Sequence, residues 1–461
     1  MIRETFDRQH AASRSIPAPD AAARRVSLTT LFELVRDNTN AFARAIAEDF
    51  GGRAQRETQI LEAIPTLNAI RHARKRVKEW LRPERRTVDW LFQPARAWLR
   101  YEPLGVVGIV SPWNFPLLLS LVPLANVLSA GNRAMIKPSE LTPAFSDLLG
   151  RLVAERFSPE QVVVICGGVE AARTFCALPF DHLLFTGSTA TGREVMRAAA
   201  ENLTPVTLEL GGKSPAIIAA DYPLGKAARS IAFGKWLNAG QTCVAPDYVL
   251  VPADRAAAFA DAVIGEARRG YPSIASDDYT SVITERHQAR LNAAIEEAAA
   301  AGAVVIRHGG HHAGTRKVAP TVVLGAPASG LLLREEIFGP VLPVVPYERL
   351  DDALAFVNAR DRPLALYCFT NDKSVRAKVL DGATSGGVTL NGTLLHAGHD
   401  GLPFGGIGPS GMGAYHGRDG FRRFSHARAV HAVGAINALE RLGPPWGGLA
   451  ARATRFLLRR G

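Results

Sequence analysis

The spacing of apolar side chains divides the chain into stretches of different character. From residue 1 to about 82, Leu, Phe, Val and Ala recur every three or four positions, the period of amphipathic helices. Helices are predicted over Val26–Asp37 and Asn40–Phe50, and another over Glu57–Leu81 with Leu61, Ile64, Leu67 and Ile70 on one side. Pro65 falls inside that last run and predicts a kink or break, while Pro83 ends it. Next, Arg86–Leu91 and Arg96–Glu102 alternate around Pro94, as a protruding strand pair would.

The pattern changes at Leu104. Short apolar runs, Gly105–Val110, Asn132–Lys137, Val162–Cys166, His182–Thr186 and Val206–Leu210, alternate with helix-like segments. A second series follows Lys213, with strands near Tyr248–Val251, Val304–Ile306, Thr321–Leu324, Val341–Val345, Ala365–Thr370 and Gly387–Leu390. Such alternation predicts parallel sheets with ligands at the strands' C-terminal ends. Pro403–Gly413 is so rich in glycine that it reads as a loop held close to another surface.

Composition narrows the classes. At 461 residues, about three domains are expected on the rule of ~150 residues each. Four scattered cysteines (Cys166, Cys176, Cys243, Cys368) suit neither a disulfide framework nor a zinc site, so a reducing, cytoplasmic setting is expected. The N-terminal residues do not read as a signal peptide, and no run approaches the ~18 apolar residues of a membrane span. The net charge of +11 raises nucleic-acid binding, but the basic residues are scattered, except around Arg71–Arg86 and in the last dozen residues, and no recognisable module accompanies them. Steering of an anionic cofactor explains the balance as well, and no nucleic-acid partner is expected. His308, His311 and His312 have irregular spacing in a flexible setting and read as a surface loop, so no metal is expected.

A few residues stand out chemically. Cys243, in Gly240-Gln-Thr-Cys243, lies between a helix-like segment and an apolar strand. A thiol there can face a cleft with its own N–H pointing the same way, although a lone free Cys is more often a small buried hydrophobe. Glu209 sits inside the apolar run Val206–Leu210, where an acid is costly unless partnered or functional, and burial would raise it toward a working general base. Asn114, between Pro112-Trp113 and Phe115-Pro116, can donate to an oxyanion or simply close an Asx-turn. Lys137 and Glu140 follow a strand and could hold ribose hydroxyls, or form a surface pair. Gly187 and Ser188 open a helix, where a pyrophosphate or only a tight turn fits.

Taken in order, Pro112-Trp-Asn-Phe-Pro, Ile136-Lys-Pro-Ser-Glu, Phe185-Thr-Gly-Ser-Thr, Leu208-Glu-Leu-Gly-Gly-Lys-Ser-Pro, Gly240-Gln-Thr-Cys, Glu335-Glu-Ile-Phe-Gly-Pro and Pro403-Phe-Gly-Gly-Ile-Gly span residues 100 to 428. Together they make the chain resemble the aldehyde dehydrogenase superfamily. Ser410-Gly-Met-Gly-Ala-Tyr-His-Gly looks like its class-three branch of fatty, aromatic and bacterial coniferyl aldehyde dehydrogenases. The resemblance implies an α/β fold: a Rossmann-like cofactor domain (1–82 and 104–211), an α/β catalytic domain (212–411), a small β bridge (83–103 and 412–430) and a tail (431–461). The third bridge strand is expected near Phe421–Val430.

The same resemblance implies roles. Cys243 is the nucleophile, Glu209 the base for the hydrolytic water, and Asn114 with the Cys243 N–H the oxyanion hole. Lys137 and Glu140 would hold the adenosine ribose, Gly187 and Ser188 the pyrophosphate, and Trp113, Glu336 and Phe338 the nicotinamide end. Oxidation of an aromatic or aliphatic aldehyde by a homodimer is implied, with NAD favoured by Glu140 and NADP also accepted by relatives. A CoA-acylating enzyme and a non-catalytic protein of this fold are the alternatives; an intact Glu209, Cys243 and Asn114 set speaks against both. The basic, amphipathic Leu449–Arg460 reads as a surface helix or frayed tail, with peripheral membrane contact the alternative.

Overall fold

We describe the fold from a computed structural model, whose described residues are 2–310, 314–437 and 439–459. His311 and His312 therefore lie outside the described residues. The N-terminal helices form as the apolar spacing requires, with two differences. A single helix, Ala21–Phe50, replaces the two expected. The polar Asn38 and Thr39 stay helical by bonding back to Leu34 O and Val35 O, each at 2.9 Å. Asp20 caps its start by accepting the Ala23 N–H at 2.8 Å, and Gly51 ends it in the left-handed region at φ 63°. The break expected at Pro65 is a π-helical turn, Gln59–Ala63. It lets a new helix start at Ile64 with Pro65 in the first turn, where its missing N–H costs no hydrogen bond.

Three sheets follow. The first has six strands in the order Gly411–Met412, Val206–Leu210, His182–Gly187, Val106–Val110, Arg133–Lys137 and Val162–Val164, parallel except for the two-residue edge strand. The register pairs Val110 with Lys137 and Phe185, and Thr186 with Glu209. Lys137, Thr186 and Glu209 thus come together at the strands' C-terminal ends. The edge strand arises inside the glycine-rich loop: Gly411 pairs with Glu209, with no side chain to hold it off. The expected strand at Val162–Cys166 stops at Val164.

The second sheet has seven strands in the order Val304–Arg307, Thr321–Leu324, Val341–Tyr347, Tyr248–Pro252, Pro215–Ile218, Ala365–Phe369 and Gly387–Leu390. It is parallel except for the first strand. The third is a small antiparallel sheet of Glu84–Arg86, Arg96–Pro103 and Ser425–Ala432. Here two expectations are corrected. The strand at Arg86–Leu91 does not form, because Asp89 accepts the Leu91 N–H at 3.1 Å and turns Trp90–Phe92 into a 3-10 helix. Phe421 lies in a helix, Gly417–Arg423, not in the strand, and its ring is buried against Trp80 and Tyr101 at 5.6 Å from each.

The helix Pro116–Ala130 is apolar almost all round and is buried at every position but Leu118. Near the C-terminus, Gly448–Leu458 is a helix with no buried side chain, and Leu449, Phe456 and Leu458 stand exposed. Among the described residues no helix is long and apolar enough to cross a membrane. Phe42 holds the long helix to the helix Pro143–Arg156 through Phe145, with ring centroids 5.8 Å apart. Phe42→Ala is therefore expected to cost about 3–5 kcal/mol. A denaturant midpoint that does not move would contradict that docking.

Candidate active site

The two parallel sheets meet over one cavity of about 810 Å³. Trp113, Asn114, Gly187, Ser188, Glu209, Cys243, Glu336 and Phe338 all line it. Eight of the ten residues singled out in the sequence are thus brought together; Lys137 and Glu140 are not on its wall. The Lys137 ammonium is buried and donates to Pro138 O at 2.7 Å, and Glu140 is exposed.

Cys243 stands after a turn that only tight packing explains. Asn238 and Ala239 hold left-handed backbone at φ 50° and 49°, which non-glycine residues rarely adopt. Gly240 follows at φ 73°, where a Cβ would lie 2.3 Å from Gly339 O, so a side chain there would collide with backbone. The half-buried thiol is pushed up to about 12 by desolvation, with the carboxyls of Glu336 and Glu209 adding to the effect. The N–H groups of Cys243 and Val244, which bond the sulfur, pull the other way without overcoming it. With no cofactor bound, the sulfur at neutral pH is a thiol.

Asn114 sits at the start of the next loop, buried, with Nδ2 donating to Gln241 O at 3.2 Å. The residue also lines the cavity. Glu209 is buried with neither carboxylate oxygen hydrogen-bonded, so desolvation raises it well above its ordinary value, with only Arg423 opposing. The sign matters: the unfolded chain ionises first, so this residue costs stability as pH rises above the usual carboxylate range. An acid kept at that cost is suited to taking a proton from water.

The other wall has the features of a nucleotide site. Ser188 caps the helix Thr189–Ala200 by accepting the Thr191 N–H at 3.2 Å, and the helix opens on the cavity. Such an N-terminus favours a phosphate. Glu336 packs so closely that a Cβ on Gly211 would lie 1.9 Å from its Oε2, and its Oε1 is buried without a partner. Burial and Asp247 raise Glu336 to about 8. The Phe338 ring stands edge-on to Trp113, centroids 5.3 Å apart. The segment is anchored from behind: Lys213 bonds Asp247 and, at 2.8 Å each, Leu332 O and Glu335 O, while Asp247 accepts the Ile337 N–H at 3.0 Å. A tight cradle with an unpaired acceptor and a helix N-terminus fits a dinucleotide.

Several residues escaped the sequence reading. Lys235 is fully buried 3.9 Å from Asp247 without a hydrogen bond, and burial lowers it to about 8. His287 and Arg290 line the cavity from the helix Glu285–Ala300, and His399, Asp400, Tyr415 and His416 line it as well. Ordinary helix and loop patterns carry all of these, so only the fold reveals them. Among the described residues, no group of three or more His, Cys, Asp or Glu is placed to hold a metal.

Fold and cavity together define an oxidoreductase class in which a nucleotide-binding sheet faces a carbonyl-capturing thiol. The "Aldehyde dehydrogenase family" model matches residues 2–430. The chain belongs to that family. It is 50% identical over 447 residues to a Pseudomonas aeruginosa protein named probable coniferyl aldehyde dehydrogenase, covering 97% of this chain and 94% of that one. In structure it is similar to a substrate-bound state of Staphylococcus aureus AldH, at a TM-score of 0.93 and 35% identity over 99% of both chains. It is also similar to a Mycobacterium tuberculosis aldehyde dehydrogenase complexed with NAD+, at a TM-score of 0.85 and 29% identity, covering 94% of this chain and 90% of that one. The protein is an NAD(P)-dependent aldehyde dehydrogenase that oxidises an aldehyde to the carboxylic acid.

The thiol's raised pKa has a direct consequence. Alkylation of Cys243 by iodoacetamide in the cofactor-free protein is expected to rise about tenfold per pH unit from 7 to 10, without a plateau. Peptide mapping checks the site, and a plateau below pH 9 would contradict the burial argument.

Proposed function

We propose that the substrate is an aromatic aldehyde bearing a ring hydroxyl, of the coniferyl type, and that NAD is the preferred cofactor. The observation carrying the substrate reading is the cavity's mixed wall, where aromatic Phe404 and Tyr415 stand beside polar His399, Asp400 and His416. An aliphatic chain has no use for such polar groups, whereas a phenol can stack and hydrogen-bond at once. The P. aeruginosa relative's name agrees with this reading. For the cofactor, Glu140 places a carboxylate near Lys137, which suits a free 2′-hydroxyl and repels a 2′-phosphate.

In this reading each residue acts in turn. The Cys243 sulfur adds to the aldehyde carbon as its proton passes to water, and the oxygen that becomes negative meets the Asn114 amide and the Cys243 N–H. A nicotinamide held there would supply the acceptor for the hydride that leaves that carbon. Trp113, Glu336 and Phe338 orient the ring end, and Gly187 and Ser188 hold the pyrophosphate. The resulting thioester on Cys243 is then opened by water, which gives a proton to Glu209 while the sulfur departs.

The small sheet leaves the outer edge of Ser425–Ala432 without a strand partner among the described residues. Pairing through that edge supports a homodimer. The four free cysteines favour a reducing, cytoplasmic setting.

The test is NAD(P)H formation with cinnamyl-type, benzaldehyde-type and long aliphatic aldehydes. Hydroxylated aromatic aldehydes with NAD are expected to give the highest kcat/KM, and a preference for aliphatic chains would overturn the substrate reading. Cys243→Ala is expected to abolish turnover, and Glu209→Gln to lower kcat by about 10²–10⁴-fold with cofactor binding kept. Wild-type activity that requires CoA would contradict the hydrolytic step.

A further inference from the structure

Behind the cavity, and outside its wall, lies a buried charge cluster that the chemistry above does not use. Arg53, with a fully buried side chain, donates from one nitrogen, Nη1, to Glu62 Oε1 at 2.9 Å and to Asn114 O at 3.2 Å. Its Nε lies 3.7 Å from Glu57, and its guanidinium sits 5.1 Å from each of the Phe50 and Phe115 ring centroids. The two glutamates hold different walls of the site. Glu62 Oε2 accepts the N–H groups of Leu117 at 2.9 Å and Leu118 at 3.2 Å, in the first turn of the helix that Asn114 precedes. Glu57 accepts the Asn238 N–H at 2.6 Å and the Thr280 hydroxyl, at the strained turn before Cys243.

The two walls also meet directly. Asn238 Nδ2 donates to Asn114 O at 3.0 Å and to Gln241 O at 3.2 Å. The Asn114 carbonyl therefore has two donors, Arg53 on one side and Asn238 on the other. The left-handed residues Asn238 and Ala239 persist only because such contacts over-determine them. An oxyanion hole made of the Asn114 side chain and the Cys243 N–H works only if these two segments keep their spacing, and a shift of about 1 Å can cost about 10²-fold.

We propose that Arg53 is a positioning residue for the reaction, setting the spacing of Asn114 and Cys243 by tying Glu57, Glu62 and the Asn114 carbonyl into one unit. The inference rests on the reading of Cys243 and Asn114 as the reacting pair. It assigns a kinetic effect to a residue that touches neither substrate nor cofactor.

Two variants test it. Arg53→Lys keeps the charge and loses the planar guanidinium that lies by the Phe50 and Phe115 rings while Nη1 reaches carbonyl and carboxylate. Arg53→Met/Glu62→Gln removes one charge of each sign and retains an acceptor for Leu117 and Leu118, so the fold survives even where the lysine fails. The readout is the single-turnover rate of NADH formation at saturating enzyme and NAD, which does not depend on the fraction of protein that is folded. A fall of about 10–100-fold is expected in both variants, with the NAD dissociation constant within twofold of wild type. A rate within twofold of wild type, whatever the melting temperature does, would overturn the proposal and leave Arg53 a structural residue. A tenfold loss of NAD affinity would overturn it as well, by moving the effect to the cofactor wall. Cys243→Ala is run alongside: turnover surviving there refutes the reading of the site itself, an outcome distinct from failure of the Arg53 proposal.

Discussion

The Asn238 side chain bridges two carbonyls, Asn114 O beside the first sheet and Gln241 O just before the thiol, and the working geometry hangs on that bridge. Neither sheet alone makes a site. The first brings Glu209 and the Gly187-Ser188 turn to its strand ends; the second carries Cys243 into the crevice before Tyr248–Pro252. What unites them is a set of buried hydrogen bonds between irregular segments. Gln241 takes part with both ends of its side chain, donating to Asn238 O at 2.9 Å and Ser281 O at 3.1 Å and accepting from Ile283 N at 2.9 Å. Nearly complete satisfaction of these polar groups makes a loop-built site rigid.

The network itself leaves Asn238 Oδ1 and two nitrogens of Arg53 unpaired, and the candidate reacting groups lack still more. Both oxygens of Glu209, Oε1 of Glu336 and Nζ of Lys235 are buried without hydrogen-bond partners. Unpaired buried polar atoms are rare because each forfeits its hydration. Others, such as Gln9 Oε1 and Arg360 Nε, lie away from the cavity wall, but at the site burial moves Cys243, Glu209 and Glu336 upward and Lys235 downward. Burial thus works against the charged form of each of these four groups.

The sequence made the regular parts legible because their signals are local. Alternating apolar runs marked the strands of both parallel sheets, and helical spacing marked the N-terminal layer. Local signals also misled. Asn38 and Thr39 looked like an interruption but bond back along their own helix, and Phe421 looked like part of a strand although it packs in a helix against Trp80. Cys243, Glu209 and Asn114 were visible because each breaks its local pattern, and the family motifs around them sharpened that signal. Arg53, Glu57 and Glu62 were not, because charged residues on an N-terminal helical segment look like a solvated surface. Their burial depends on partners between 55 and 223 residues away, such as Leu117 and Thr280. Contacts of that range leave no periodic trace.

The most direct test of this account is to catch the bond it requires. Glu209→Gln, mixed with NAD and 4-hydroxy-3-methoxycinnamaldehyde and quenched in acid, should carry the acyl group on the peptide containing Cys243, as read by mass spectrometry. The account predicts an adduct there and nowhere else. An adduct on the exposed Cys166, or NADH formed with no acyl group on any cysteine, would contradict it.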